Sequence, residues 1–163
     1  MGKKNKSKKD PNTSLSLTSN SAVTLDFGAS SPSSQKVTAI SQIPYFIDKD
    51  CPKTLIASIN LAYNAITSLQ SSEILNTSRY NLFQNLTTLN LAENVLTDID
   101  GIGELKNIRK LNLSGNSLSN LPSLDELSCL TVLEEIRLCR NQFRGLDEFE
   151  KLCACKNLCK LTM

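Results

Sequence analysis

Cysteines are the residues of this chain with the greatest capacity for chemistry, and three of them lie within seven positions of one another. Cys153, Cys155 and Cys159 form a C-x-C-x3-C pattern, and closely spaced thiolates can bind zinc. Structural zinc sites usually contain C-x2-C pairs and a fourth ligand, and the chain has no histidine to complete a set. We therefore interpret these cysteines as structural thiols and expect no metal, with a zinc site as the alternative.

The lack of histidine also removes the side chain that most often acts as a base near neutral pH. Catalysis by Ser-His-Asp or Cys-His arrangements is therefore excluded. No other set of residues brings a nucleophile and a base together at a recognisable spacing. We expect a protein that is not an enzyme, uses no cofactor and has no small-molecule substrate.

A lysine-rich segment, KKNKSKK at residues 3–9, is a further candidate for ligand binding. Residues 1–10 carry five lysines and one aspartate, whereas residues 11–163 carry 13 basic and 15 acidic side chains. The excess positive charge therefore belongs to the first ten residues, and the rest of the chain lacks the basic field typical of nucleic-acid binding. The segment could bind anionic membrane or RNA, or it could be a solvated tail.

The composition divides the chain into two segments. Residues 1–45 are rich in Lys, Ser, Thr and Asn without a sustained period, which predicts a disordered basic tail, although residues 22–27 could pair transiently. Residues 46–163 are predicted to form the folded domain. No apolar run reaches the ~18 residues that cross a membrane, and no signal peptide follows the first lysines. We expect an intracellular location that is cytoplasmic, with nuclear and cytoskeletal or axonemal sites left open.

The folded domain contains an internal repeat, which the stretch RKLNLSGNSLSNLP (109–122) shows most clearly. Apolar residues lie 8, 5 and 3 positions before Asn116 and 2, 5 and 11 positions after it. The same six positions are apolar around Asn64, Asn94 and Asn141, so the pattern occurs four times. The first three apolar positions of a fifth unit follow, and we expect about four repeats without a C-terminal cap.

This pattern resembles the leucine-rich repeat, LxxLxLxxNxL, over roughly residues 50–163. The 22-residue separation of Asn94 and Asn116 resembles the short intracellular class of these repeats. That class includes the leucine-rich regulatory subunit of protein phosphatase 1 and an axonemal dynein light chain. The resemblance implies an α/β solenoid, with a curved parallel β-sheet on the concave side and helical or 3-10 turns on the convex side.

The polar residues of each repeat divide into an internal and an external set. We interpret Asn64, Asn94, Asn116 and Asn141 as a structural ladder, because buried backbone groups there need an amide partner. Residues that alternate with the strand leucines would face the concave surface. We predict that this surface binds a partner through Ser58, Asn60, Thr88, Asn90, Lys110, Asn112, Ser114, Glu135 and Arg137.

The function predicted from these patterns is binding of another protein, as an adaptor or regulatory subunit. The resemblance implies a phosphatase catalytic subunit or a cytoskeletal or axonemal component as the partner. Nucleic acid is not expected to be the ligand of the repeats. The alternative is a tethering protein whose lysine cluster binds anionic membrane or RNA.

Overall fold

The computed structural model describes residues 14–16, 23–28, 37–38, 56–69 and 83–163. Seven strands form one sheet in the order of the sequence. They are β1 (Ser14–Ser16), β2 (Val23–Asp26), β3 (Ile56–Asn60), β4 (Thr88–Asn90), β5 (Lys110–Asn112), β6 (Glu135–Arg137) and β7 (Lys160–Thr162). Within the described residues, the helices are α1 (Leu124–Ser128) and α2 (Asp147–Glu150), with 3-10 turns at Ile102–Glu104 and Lys151–Ala154.

The strands from β2 to β7 are parallel, and only β1 pairs in the antiparallel direction. From β3 to β6 each strand pairs with the next in the same register, so that Asn60, Asn90, Asn112 and Arg137 form one continuous row. A connection that returns to a neighbouring parallel strand must cross over on one side of the sheet. When the same crossover follows each strand, the chain forms a coil. The predicted leucine-rich-repeat solenoid is therefore confirmed.

The strands follow directly from alternation in the sequence. Ile59, Leu89, Leu111 and Ile136 lie within β3 to β6, and each is at most 1% exposed. Their neighbours on either side are polar and point to the other face, as the period of two in a strand requires. Leucines and isoleucines three and five positions before each ladder asparagine therefore fill the interior of the coil.

The convex side is built from short turns that carboxylates hold to the preceding repeat. Helix α1 begins after Ser123, whose hydroxyl accepts a hydrogen bond from the Glu126 backbone N–H at 3.3 Å. The Glu126 carboxylate in turn accepts one from the Gly101 N–H at 2.7 Å. In the next repeat, the Glu148 carboxylate likewise accepts a hydrogen bond from the Leu121 N–H at 2.7 Å. These contacts join adjacent coils on the outside, as the asparagines do on the inside.

The sheet begins earlier than the predicted domain boundary at residue 46. Strand β2 lies within the predicted tail of residues 1–45, yet it pairs with β3 and continues the sheet. Leu25 is fully buried and Phe27 is 6% exposed, so both cover the end of the core. No period is visible here, because one strand with two buried side chains is too short to show one. Of the predicted tail, residues 14–16, 23–28 and 37–38 are described, and the rest of residues 1–45 lies outside the described residues.

The fourth repeat departs from the template at one apolar position. Leu146, expected inside, is 74% exposed. It precedes α2, and Phe149 from that helix instead packs edge-on against Phe143, with ring centroids 5.0 Å apart. Both aromatic rings pack against the core, whereas Leu146 lies in solvent.

Candidate interaction surface

Four asparagines lie along the inside of the coil, just after each strand ends. Each Oδ1 accepts a hydrogen bond from a backbone N–H of the preceding coil, as between Asn116 and Leu96 at 3.0 Å. Each Nδ2 donates to a carbonyl of its own coil and to one of the coil before, as Asn116 does to Leu113 and Leu91. Asn64, Asn94 and Asn116 are buried, and Asn141 is half-buried. This ladder fixes the register of the strands that carry the concave face.

The nine residues predicted for partner binding all lie on the concave side of the sheet. One row across the strands contains Ser58, Thr88, Lys110 and Glu135, and β7 continues it with Lys160. The next row contains Asn60, Asn90, Asn112 and Arg137, and Ser114 lies just beyond it. Each of these side chains is half-buried or exposed. The predicted residues therefore form one continuous surface, whatever binds there.

Hydrogen bonds join the asparagines of the second row at its N-terminal end. The Asn60 amide donates to the Asp26 carboxylate at 2.9 Å, and the Asn90 amide donates to Asn60 Oδ1, also at 2.9 Å. This chain of bonds stops at Asn112, whose Oδ1 accepts from the Ser114 N–H at 3.1 Å. Among the described residues, the amide nitrogen of Asn112 has no hydrogen-bond acceptor. The side-chain amides of Asn60 and Asn90 therefore donate to acceptors within this face, whereas the amide of Asn112 in β5 is available to a ligand.

A carboxylate at the centre of the C-terminal half holds two cations in place. Glu135 Oε1 lies 2.7 Å from Arg137 Nε and 3.1 Å from Lys160 Nζ. The hydrogen bond from Arg137, followed by that from Lys160, holds the pKa of Glu135 below its ordinary value. Arg137 uses only Nε in this pair, and its two terminal amines have no hydrogen-bond partner within the described ranges. Its guanidinium is thus oriented by Glu135 while its outer edge faces solvent.

A third row of the surface was not predicted from the sequence. The residue just before each ladder asparagine has a left-handed backbone: Tyr63 (φ 61°), Glu93 (φ 54°), Gly115 (φ 69°) and Arg140 (φ 53°). Only one of the four is glycine, so the residue types did not indicate a left-handed backbone. The signal that could have identified this row is its fixed position, one residue before each ladder asparagine.

The side chains of this third row lie beside the concave face, and two of them contact each other across the coils. A Cβ on Gly115 would lie only 2.5 Å from Glu93 Oε1. The missing side chain lets the Glu93 carboxylate lie over Gly115 and form an ion pair with Arg140, two coils away in the fold. Tyr63, at the other end of the row, is 58% exposed.

The cysteines of the C-x-C-x3-C pattern are separated in the structure. Cys155 is buried in the core, which raises the pKa of its thiol, while Cys153 and Cys159 are exposed. Within the described ranges, no three metal-ligating side chains come together. In the same ranges, no helix has both the length and the apolar character needed to span a membrane.

Comparison with known proteins agrees with the geometry. Residues 84–126 match the family described as Leucine Rich repeats (2 copies), a region that contains the second and third ladder asparagines. A leucine-rich-repeat protein of Leptospira interrogans is 27% identical, with a TM-score of 0.59 over 78% of this chain and 29% of that one. An internalin from Listeria monocytogenes is 21% identical, with a TM-score of 0.48 over 85% of this chain and 46% of its own. No curated protein matches the chain.

The coil and its asparagine ladder form a leucine-rich-repeat solenoid, and residues 84–126 match the leucine-rich-repeat family model. The chain spans less than half the length of either solved structure. Domains of this kind generally mediate interactions between proteins, and the curved sheet of a solenoid provides an extended surface for them.

Proposed function

We propose that this protein binds another protein through the concave face of its repeats and acts as an adaptor or regulatory subunit. The observation that supports this most is the row from Asn60 to Arg137, which ends in donors without described partners. Polar groups held at regular spacing on a rigid sheet suit a macromolecular ligand, because such a ligand can contact several strands at once. The ladder beneath them holds the strands in place, so little order has to be gained on binding.

The chemistry of the described surface favours binding over turnover. The carboxylates near its cations, Glu135 and Glu93, are committed to ion pairs in the described structure. The chain has no histidine to act as a base. A purified chain that turned over a substrate would contradict this assignment.

The identity of the partner is proposed from the resemblance to the 22-residue class of repeats. It suggests a phosphatase catalytic subunit or a cytoskeletal or axonemal component, in the cytoplasm or nucleus. These candidates rest on similarity of fold class, so they rank below the assignment of the surface itself.

A second candidate function rests on the five lysines in residues 1–10. In a tethering protein, this cluster would bind anionic membrane or RNA, and the repeats would be carried along. Binding of that kind weakens steeply as salt increases. The concave face would then be dispensable, which separates the two functions by experiment.

The test is affinity capture from native lysate, quantified by mass spectrometry, with three forms of the full chain. The first is wild type, the second carries Asn90→Ala, Lys110→Glu, Asn112→Ala and Arg137→Glu, and the third lacks residues 1–10. Circular dichroism verifies that each form is folded. Partners lost only with the second form support the proposal. Partners that persist with the second form and disappear with the third identify the lysine cluster as the binding element.

A further inference from the structure

The charges of the concave face are separated along the solenoid. In strands β5 to β7 and the turn after β6, the face carries Lys110, Arg137, Arg140 and Lys160 with a single carboxylate, Glu135. The Glu93 carboxylate reaches over Gly115 to pair with Arg140, so four cations and two carboxylates give this half a net charge of +2. The N-terminal half carries the carboxylate of Asp26 and no cation among its described face residues. A ligand that spans the face meets a positive end and a neutral to negative end.

The positive half has the features of a carboxylate-binding surface. Glu135 holds Arg137 by Nε at 2.7 Å, which leaves the two terminal amines, the atoms with which a guanidinium grips a carboxylate in a fork. Asn112 in the adjacent strand offers an amide N–H₂ with no described acceptor, and Lys110 forms no described ion pair. Arg137 and Lys160 remain 48% and 57% exposed, so both cations can be reached by a partner.

An apolar anchor lies at the other end of the face. Tyr63 is held by a left-handed backbone, is 58% exposed, and stands beside the small side chains of Ala62 and Ala92. An exposed tyrosine with small neighbours can pack against an apolar side chain of a partner at low entropic cost. Tyr63 follows β3, and Arg137 lies in β6, three strands away. At about 4.8 Å between strands, β3 and β6 are roughly 14 Å apart, which four or five residues of extended chain cover.

We infer that the concave face holds an extended, carboxylate-rich segment of the protein partner, with its Asp or Glu side chains on Arg137 and Lys160 and an apolar residue four or five positions away on Tyr63. This inference rests on the proposed function and adds the chemistry of its ligand. The chain's own first ten residues are not the occupant, because they carry a net charge of +4 and would be repelled from the positive half. Nucleic acid fits less well, since Glu135 and Glu93 lie on the face and Tyr63 is its only described aromatic residue.

The test is a titration of the ¹⁵N-labelled full chain with synthetic peptides, followed by amide chemical shifts. The probe peptide has one leucine followed five positions later by three consecutive glutamates. Its controls replace the glutamates by glutamine or by lysine. We expect shifts concentrated in β5, β6 and β7 with the acidic peptide, weaker at high salt, and none with the lysine peptide. Equal binding of the glutamine peptide, or no shift at millimolar acidic peptide, would overturn the inference.

Two pairs of variants test the assignment of residues. Arg137→Gln with Lys160→Gln should weaken binding of the acidic peptide about tenfold, as expected for the loss of two exposed ion pairs. Lys106→Gln with Lys156→Gln removes the same charge from the turns before β5 and β7, and should leave binding within about twofold. An equal effect of both pairs would show that net charge alone attracts the peptide, and the proposed site would be wrong.

Tyr63→Ala tests the apolar anchor. It should weaken the leucine-containing peptide several-fold and leave a peptide with alanine in place of leucine unaffected. Larger amide shifts in β5, β6 and β7 with a decameric RNA or with phosphatidylserine vesicles than with the peptide, at equal salt, would also overturn the inference. The proposed function would survive these failures if the variant of the concave face still lost its partners from lysate, so the two outcomes are distinguishable.

Discussion

The ladder asparagines make a quantitative prediction about stability, and Asn116→Ala is the sharpest case. Asn116 is 7% exposed, and its Oδ1 is the described acceptor for the Leu96 N–H. Its amide donates to the carbonyls of Leu91 and Leu113. Each of these carbonyls also accepts from a neighbouring ladder asparagine, Asn94 or Asn141. Truncation therefore orphans one buried N–H completely and removes one of two bonds from each carbonyl.

The expected loss follows from this inventory. A buried donor left without a partner costs about 1–3 kcal/mol, and each carbonyl that keeps one bond loses about 0.5 kcal/mol. The total is about 2–4 kcal/mol of the free energy of unfolding. In a urea titration followed by far-UV circular dichroism, an m-value of about 2 kcal/mol/M converts this into a midpoint lowered by about 1–2 M.

Two matched variants make the test specific. Asn112→Ala deletes the same atoms from the concave face, where Oδ1 accepts one half-buried N–H, and should cost less than about 1 kcal/mol. Asn116→Asp keeps the acceptor for Leu96 but loses the donors, so it separates the two halves of the amide. If Asn116→Ala and Asn112→Ala shift the midpoint equally, the ladder is not what stabilises the coil.

Three further predictions concern the ends of the solenoid and its concave face. Leu25→Ala should lower the free energy of unfolding by about 2–5 kcal/mol, measured by urea denaturation, because Leu25 is fully buried under the first coil. Gly115→Ala should cost about 1–2 kcal/mol in thermal denaturation, because φ is 69° and the new Cβ meets the Glu93 carboxylate. Arg137→Gln should raise the pKa of Glu135 towards its ordinary value, measured by carboxyl NMR. Because the pKa of Glu135 is lowered by folding, its contribution to stability is present above the unfolded pKa and is lost as the pH falls through the folded pKa.

Controls for these predictions are available in the chain. Leu124→Ala removes a leucine that is 56% exposed, and Gly145→Ala adds a Cβ with nothing within 4 Å. Both should change stability by less than about 0.5 kcal/mol. A control as damaging as its matched variant would refute the corresponding explanation, and an unchanged Glu135 pKa in Arg137→Gln would show that Arg137 does not hold that carboxylate.

The elements of the fold that repeat could be predicted from the sequence. The positions of Ile59 and Leu111 lie five residues before an asparagine in their repeats, and the same spacing occurs in every repeat, so strands and core were predictable. Elements that occur once were not. Strand β2 pairs with β1 and β3, and two buried side chains, Leu25 within it and Phe27 just after it, are too few to show a period in the sequence.

The surface was predictable in outline but not in its electrostatics. Strand alternation located the two rows that contain Lys110 and Arg137, because side chains alternate between the faces of a strand. The pairing of Glu93 with Arg140, 47 positions later, depends on the absence of a side chain at Gly115 between them. Such a contact requires the left-handed backbone and the stacking of coils, neither of which the residue types at these positions indicate.

The most direct test of the central claim is the dissociation constant of a captured protein partner, measured by calorimetry with the purified full chain. Asn112→Ala with Arg137→Glu alters the concave face, and Asn107→Ala with Lys156→Glu makes comparable changes in the turns before β5 and β7. We expect at least about tenfold weaker binding for the concave variant and less than about twofold for the turn variant. Equal dissociation constants for both variants would contradict the assignment of the concave face, because the partner would then bind elsewhere on the chain.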